Sequence, residues 1–209
     1  MQKIEKREKA MEKIRQETLG CKKCPLYKTR TNPVIGEGSL NAKIMLVGEA
    51  PGFNEDREGH PFCGAAGKVL DELLESADIK REDVYIGNLV KCRPVTPSLE
   101  NRAPNLEEIK ACSPYLIRQI EIIKPELICT LGNYSTAFIL EKYGLKNRIE
   151  GISKIHGKVF EVKSLFTSLK IIPLYHPAVV VYNPNMKEIL KKDFEALKVL
   201  LEKKVLKQT

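Results

Sequence analysis

Cysteine spacing gives the first chemical signal. Cys21 and Cys24 form C-x2-C within CKKCP, a spacing that lets two thiolates converge on one metal centre. Cys92 and Cys112 lie far downstream, with nineteen residues between them. Four cysteines with one tight pair suit a zinc site or a cubane iron–sulfur cluster. The plainer alternative is a chance pair plus two core thiols, and Cys112 invites it most, because it falls on the apolar face of a helix. Cys129, between Ile128 and Thr130, reads as a core residue of a strand, and Cys63 fits either description. A disulfide framework suits a secreted chain better than one without a secretion signal.

Four further features could do chemistry. Gly48-Glu49-Ala50-Pro51-Gly52 is a glycine-flanked turn after a strand, whose N–H groups could hold an anion or a carbonyl oxygen. It is neither a Walker loop nor G-x-G-x-x-G, and an ordinary tight turn explains it equally well. Asn88 interrupts an apolar run, where an unpaired amide is costly to bury. Either backbone groups satisfy it, or it reads a base edge with one donor and one acceptor. His176 sits between a strand end and Pro177. It is structural unless a negative charge develops within its reach. Phe62 stands in a polar loop, as a hydrophobic plug or a platform on which a base stacks.

The elements that must carry these residues alternate. A charged helix spans 4–19, with Ile4, Met11 and Ile14 on one stripe. Strands are expected at Lys43–Val47, Val84–Val90, Glu126–Leu131 and Lys170–Tyr175, with an edge strand at 158–162. Helices are expected from Ala66 to Ala77, and across the face formed by Leu106, Ile109, Cys112, Leu116, Ile120 and Ile123. Asn133 is placed to cap the next helix. A last helix runs from about Pro184 to Lys203, with Ile189, Phe194, Leu197 and Leu201 inward. Near-continuous apolar strands alternating with helices predict a three-layer α/β/α sandwich around a central four-stranded parallel sheet. Ligands of such sheets sit beyond the carboxyl ends of the strands, where GEAPG, Asn88 and His176-Pro177 gather.

Composition sets the outer bounds. The chain of 209 residues suits a single domain, 1–209. Its formal charge of +8 favours a polyanionic partner without proving one. No apolar run approaches the ~20 residues that span a bilayer, and MQKIEKREKAMEKIRQ lacks the apolar stretch of a secretion signal. A cytoplasmic protein with no membrane contact is expected.

Taken in order, these pieces are more specific than any one of them. GEAPG; Pro61-Phe62-Cys63-Gly64 with Ala66-Gly67; Gly87-Asn88 with Lys91-Cys92-Arg93-Pro94; Asn101-Arg102; Cys112; and His176-Pro177-Ala178 together resemble the type-4 uracil-DNA glycosylases. The resemblance runs from about Cys21 to Asn183. It implies hydrolysis of the N-glycosidic bond of deoxyuridine in DNA, by a monomer whose partners are uracil-containing DNA and other repair or replication proteins. It also implies a structural 4Fe–4S cluster on Cys21, Cys24, Cys92 and Cys112. Phe62 would stack on the flipped uracil, and Asn88 would pair with N3–H and O4. Glu49 and Ala50 would line the pocket near O2 and C5, with Glu49 filling the space a thymine methyl needs. His176 would hydrogen-bond O2 as the base departs, making His176, Asn88 and Glu49 the catalytic set.

The sequence departs from the pattern at four places. Ala50 stands where better-known superfamily members carry a water-activating Asp. Tyr182 takes the position of an Arg, the loop between Cys92 and Asn101 is longer than usual, and Cys63 replaces an aliphatic residue. The rival readings are a non-enzymatic nucleic-acid binder with a structural zinc, a broader-range glycosylase, and a nucleotide-binding α/β enzyme.

Overall fold

The computed structural model describes residues 2–163 and 168–205, with side chains for 4–162 and 169–200. The order of elements is α1 (Gln2–Leu19), β1 (Glu37–Gly38), β2 (Ile44–Gly48), α2 (Phe53–Glu58), α3 (Ala65–Ser76), β3 (Tyr85–Asn88) and α4 (Leu106–Ile123). There follow β4 (Leu127–Leu131), α5 (Asn133–Lys142), α6 (Ile152–Ile155), β5 (Phe160–Lys163), β6 (Ser168–Leu174), α7 (Ala178–Tyr182) and α8 (Lys187–Val205).

The sheet is six-stranded and mixed, in the order β1-β3-β2-β4-β6-β5. The sheet thus extends beyond the four parallel strands expected by two edge strands, one of them close to the edge strand expected at 158–162. The inner pairs β3/β2, β2/β4 and β4/β6 are parallel. The edge strands β1 and β5 run antiparallel to their neighbours. The two-residue β1 is too short to carry a periodic signal, so pattern reading passes over it.

Every residue of β2, β3 and β4 is buried, which is why these strands read as unbroken apolar runs. Alternate side chains enter opposite layers. Ile44, Leu46, Cys129 and Ile172 pack with Leu70 and Leu73 of α3 and Phe194 and Leu197 of α8. Met45, Val47, Ile128 and Ile171 pack with Leu116 and Ile120 of α4 and Ile139 of α5. Helices therefore cover both faces, and Cys129 is the core residue expected.

Some expected inward residues lie outside the core. Ile4 and Leu106 occupy the first turns of their helices and are exposed, beyond the packed stretch. Ile189 is exposed too, and its neighbour Leu190 is buried instead. The chain forms a 3-10 turn at Pro184–Met186 before α8 begins at Lys187, so Ile189 falls in the first turn, while Phe194 and Leu197 are buried as expected. The side chain of Leu201 lies outside the described residues. Gly132, rather than Asn133, takes the N-cap of α5. Asn133 instead accepts a hydrogen bond from Ile152 N, 2.8 Å away. Among the described residues no helix is long and apolar enough to cross a membrane.

Candidate active site

A cavity of about 420 Å³ opens beyond the carboxyl ends of the inner strands. Glu49 and Ala50 line it from the turn after β2, and Asn88 from the end of β3. Phe62 comes from the loop before α3, His176 from just past β6, and Tyr182 from α7. The five residues predicted for the base site are thus brought together.

Sheet register sets Asn88. It pairs with Gly48 across β3 and β2, and the turns stay joined beyond the sheet, Leu89 N donating to Gly48 O and Val90 N to Glu49 O. Asn88 is 2% exposed, and among the described residues its Oδ1 has no hydrogen-bond partner. A Cβ at Gly48 would stand 2.3 Å from that oxygen and 3.0 Å from the Phe62 ring. Glycine at 48 therefore makes room for both.

Phe62 is buried and holds a left-handed backbone, φ 51°, a conformation that costs a bulky residue on the order of 1 kcal/mol. Two neighbours hold it there. A Cβ at Gly67 would fall 1.9 Å from the Phe62 carbonyl oxygen, so only glycine lets the first turn of α3 lie against this loop. The Glu55 carboxylate does the rest. Its Oε1 accepts from Cys63 N and Gly64 N at 3.1 and 3.0 Å, and its Oε2 accepts from Gly52 N at 3.1 Å. One side chain thus ties the end of the GEAPG turn to the loop that carries Phe62.

The His176 ring stacks near Phe62, with centroids 5.5 Å apart. Its Nδ1 accepts from Ala178 N at 3.2 Å. The ring proton therefore sits on Nε2, leaving a donor on the other side. Burial pushes the His176 pKa down to about 4, against a weaker opposing pull from Glu55. The imidazole is neutral at physiological pH. Glu49 is half-buried, and burial alone raises its carboxyl pKa.

Arg102 also lines the cavity, but most of its donors are spent internally. It forms a bidentate pair with buried Glu108 at 2.9 and 2.6 Å, and also donates to Val95 O and Ala103 O. The long loop after Cys92 is folded on itself by these bonds and by a bridge between Val95 and Asn101.

Cys21, Cys24, Cys92 and Cys112 line a second pocket, between α1, α4 and the segment after β3. Cys63 is exposed and stands apart from it. Arg30 donates to Cys92 Sγ at 3.2 Å and Lys91 N to Cys112 Sγ at 3.1 Å, the kind of donors that steady a sulfur ligand. Burial pushes the Cys112 thiol up to about 12. Among the described residues no three His, Cys, Asp or Glu side chains converge tightly enough for a single metal ion.

The model of the uracil-DNA glycosylase superfamily matches residues 35–200. A type-4 uracil-DNA glycosylase of Sulfurisphaera tokodaii is 48% identical over 192 residues, covering 91% of this chain and 84% of that protein. Those of Saccharolobus solfataricus and Archaeoglobus fulgidus are 47% and 45% identical, over 91% and 93% of this chain and 86% and 95% of theirs. The chain belongs to the type-4 uracil-DNA glycosylases.

Within this type-4 uracil-DNA glycosylase, sequence reading missed several residues that shape the site. Glu55 offers a usable signal, because a Glu three residues after the N-cap Gly52 has capping-box spacing, and its carboxylate accepts from Gly52 N, the half of the box that a glycine N-cap allows. Gly48 and Gly67 lay inside quoted motifs, but their close approaches to Asn88 and Phe62 are long-range. Lys91 stands beside Cys92 in the sequence, yet it is fully buried under Asn88, which nothing in a surface-prone residue type announces.

Proposed function

We propose that this chain hydrolyses the N-glycosidic bond of deoxyuridine in DNA, releasing uracil and leaving an abasic site. The observation that carries the reading is the buried, unpartnered Oδ1 of Asn88 in the cavity wall. An unsatisfied buried acceptor costs about 1–3 kcal/mol, and uracil N3–H supplies the missing donor while the Asn88 amide N–H meets O4. Cytosine presents the reverse pattern, N4–H2 and a bare N3, and is rejected because polar groups would stay unpaired.

The flipped base stacks on Phe62, whose fixed backbone pre-forms the platform. As the glycosidic bond breaks, negative charge builds on uracil N1 and O2. The Nε2–H of neutral His176 donates to O2, and one such donor is worth about 3–4 kcal/mol. Ala50 supplies no carboxylate. Glu55 has both oxygens occupied by backbone N–H groups, which leaves Glu49 to orient the attacking water and to fill the C5 space against thymine. Its raised pKa brings the carboxyl closer to the range of a working base.

Cys21, Cys24, Cys92 and Cys112 would hold a 4Fe–4S cluster in a structural role. One zinc ion draws four thiolates to about 2.3 Å, whereas a cubane is larger and leaves its ligands apart around a shared pocket. The arrangement of these four thiols therefore fits the cluster better than a single ion. Bound there, the cluster would tie the start of the chain to α4 and to the segment after Asn88.

Incubation of the purified protein with a uracil-containing oligonucleotide tests the activity. Alkali-labile breaks at the uracil position are expected. An intact strand at stoichiometric enzyme would refute the reading.

A further inference from the structure

We infer that Lys91 is a positioning residue that fixes Asn88 for base reading and fastens the base pocket to the cysteine pocket. The inference rests on the reading of Asn88 as the residue that pairs with the base.

Lys91 is 0% exposed. Burying an ammonium group is expensive unless its protons are taken up, and among the described residues no carboxylate pairs with it. Its Nζ instead donates to the backbone carbonyl of Asn88 at 2.9 Å and to Gln119 Oε1 at 2.7 Å. Gln119 is itself fixed, its Nε2 donating to Ile35 O and to Tyr85 Oη, both at 2.9 Å. Those bonds settle which end of the Gln119 amide faces Lys91. A continuous chain of buried hydrogen bonds thus runs from Ile35 and Tyr85 through Gln119 and Lys91 to Asn88. At its far end is a residue that lines the cavity and whose buried side-chain Oδ1 is unpartnered among the described residues.

The backbone of Lys91 points the other way. Its N–H donates to Cys112 Sγ, and its carbonyl accepts from Val34 N at 2.7 Å. Every polar atom of this one residue is therefore used, its Nζ toward Asn88 of the base pocket and its N–H toward Cys112 of the cysteine pocket. Ala50 adds a second link, because it lines the base cavity and packs against the cluster formed by Ile14, Val90, Cys112 and Tyr115. An apolar residue of similar length at 91 would fill the space. It would leave the Asn88 carbonyl and Gln119 Oε1 without this donor, in a site where a small misplacement of the reading amide is costly to rate. A buried charge kept under such conditions serves geometry better than it serves stability.

A double-mutant cycle tests this. Single-turnover excision of uracil at saturating enzyme is measured for the parent, Lys91→Met, Asn88→Ala and the double variant, with affinity for uncleaved DNA and thermal midpoint measured alongside. Lys91→Met should slow excision by roughly tenfold or more, with DNA affinity within about twofold of the parent. In the Asn88→Ala background the same substitution should cost less than about twofold, since the residue it positions is gone. If Lys91→Met does not fold, Lys91→Gln, which keeps a donor on a shorter stem, goes through the same cycle. Equal costs with and without Asn88 would overturn the inference alone, as would parent-rate excision by the folded Lys91 variant. If Asn88→Ala itself excises at the parent rate, the base-reading assignment fails and takes the inference with it.

Discussion

The rings of Phe62 and His176 lie 5.5 Å apart and 28° from parallel, although one residue belongs to the loop before α3 and the other follows β6. The proposed platform for the base and the proposed donor for its departing charge are thus set against each other by packing. Phe62 cannot relax without Gly67 and Glu55 giving way, and His176 cannot turn without losing Ala178 N.

Asn88 and His176 should fail differently. Asn88→Asp replaces an amide donor with a carboxylate, which repels uracil O4 and can accept from cytosine N4–H2. Uracil excision should collapse, with a trace of cytosine excision in its place. His176→Ala should slow the chemical step on the order of a hundredfold or more while leaving DNA affinity nearly intact. Single-turnover kinetics and separate binding measurements distinguish the two. Parent-rate excision by both variants would remove these residues from the site.

His176 should remain neutral through mildly acid conditions. Its folded-state pKa near 4 lies below the ordinary 6.5. Between those values the unfolded chain takes up a proton that the folded chain refuses. The contribution to stability is therefore complete above pH 6.5 and is lost as pH falls through 4. Nitrogen-15 NMR of the three histidines, with His176→Ala to assign the resonance, should show an Nε2–H tautomer and no titration near 6.5. A midpoint between 6 and 7 would contradict the buried, neutral donor.

Gly48→Ala should damage activity far more than folding. The added Cβ meets Asn88 Oδ1 at 2.3 Å, and a side-chain end can swing aside at a cost of about 1–3 kcal/mol. The amide then no longer faces the base. Thermal unfolding should shift modestly while uracil excision falls at least roughly tenfold, a factor worth about 1.4 kcal/mol in the barrier. Equal retention of both would show that Asn88 needs no fixed position.

Glu55→Gln should loosen two loops at once. The amide keeps one acceptor oxygen for three backbone N–H groups and adds a donor where none is wanted, so about 1–3 kcal/mol is at stake for each bond left unmade. Hydrogen exchange at Gly52, Cys63 and Gly64 should accelerate together, and base binding should weaken. Unchanged protection at Cys63 and Gly64 would deny Glu55 this role.

Protein purified without oxygen should be brown, with iron and sulfide in equal amounts. Cys21→Ser should lose the colour and Cys129→Ser should keep it. A colourless protein holding one zinc per chain would replace the cluster with a single ion.

How far the sequence reveals these relationships depends on the range over which each is determined. The inner strands were legible because residues such as Ile44–Val47 are buried on both faces, leaving no polar interruption. The gathering of Glu49, Asn88 and His176 followed from strand ends alone. What sequence could not supply was contact between distant segments. Glu37–Gly38 forms a strand only because β3 is there to receive it. Gly67 is needed because Phe62 lies against it, and the buried state of Lys91 depends on Gln119, which stands on α4. On α8, Phe194 and Leu197 lie inward as expected, and Leu190 takes the place expected of Ile189 in the first turn.

The N-terminal helix carries a consequence for the order in which the protein can be made. Ile14 of α1 packs with Val90, Cys112 and Tyr115, and Glu17 pairs with Arg118 of α4. Cys21 and Cys24 leave the ribosome well before the segments that complete their pocket. Until α4 emerges, Cys21 and Cys24 lack Cys112 and the other α4 residues that complete their pocket. Maturation of the cysteine pocket thus waits on the synthesis of α4, because the fold assembles it from α1 and a partner synthesised about a hundred residues later.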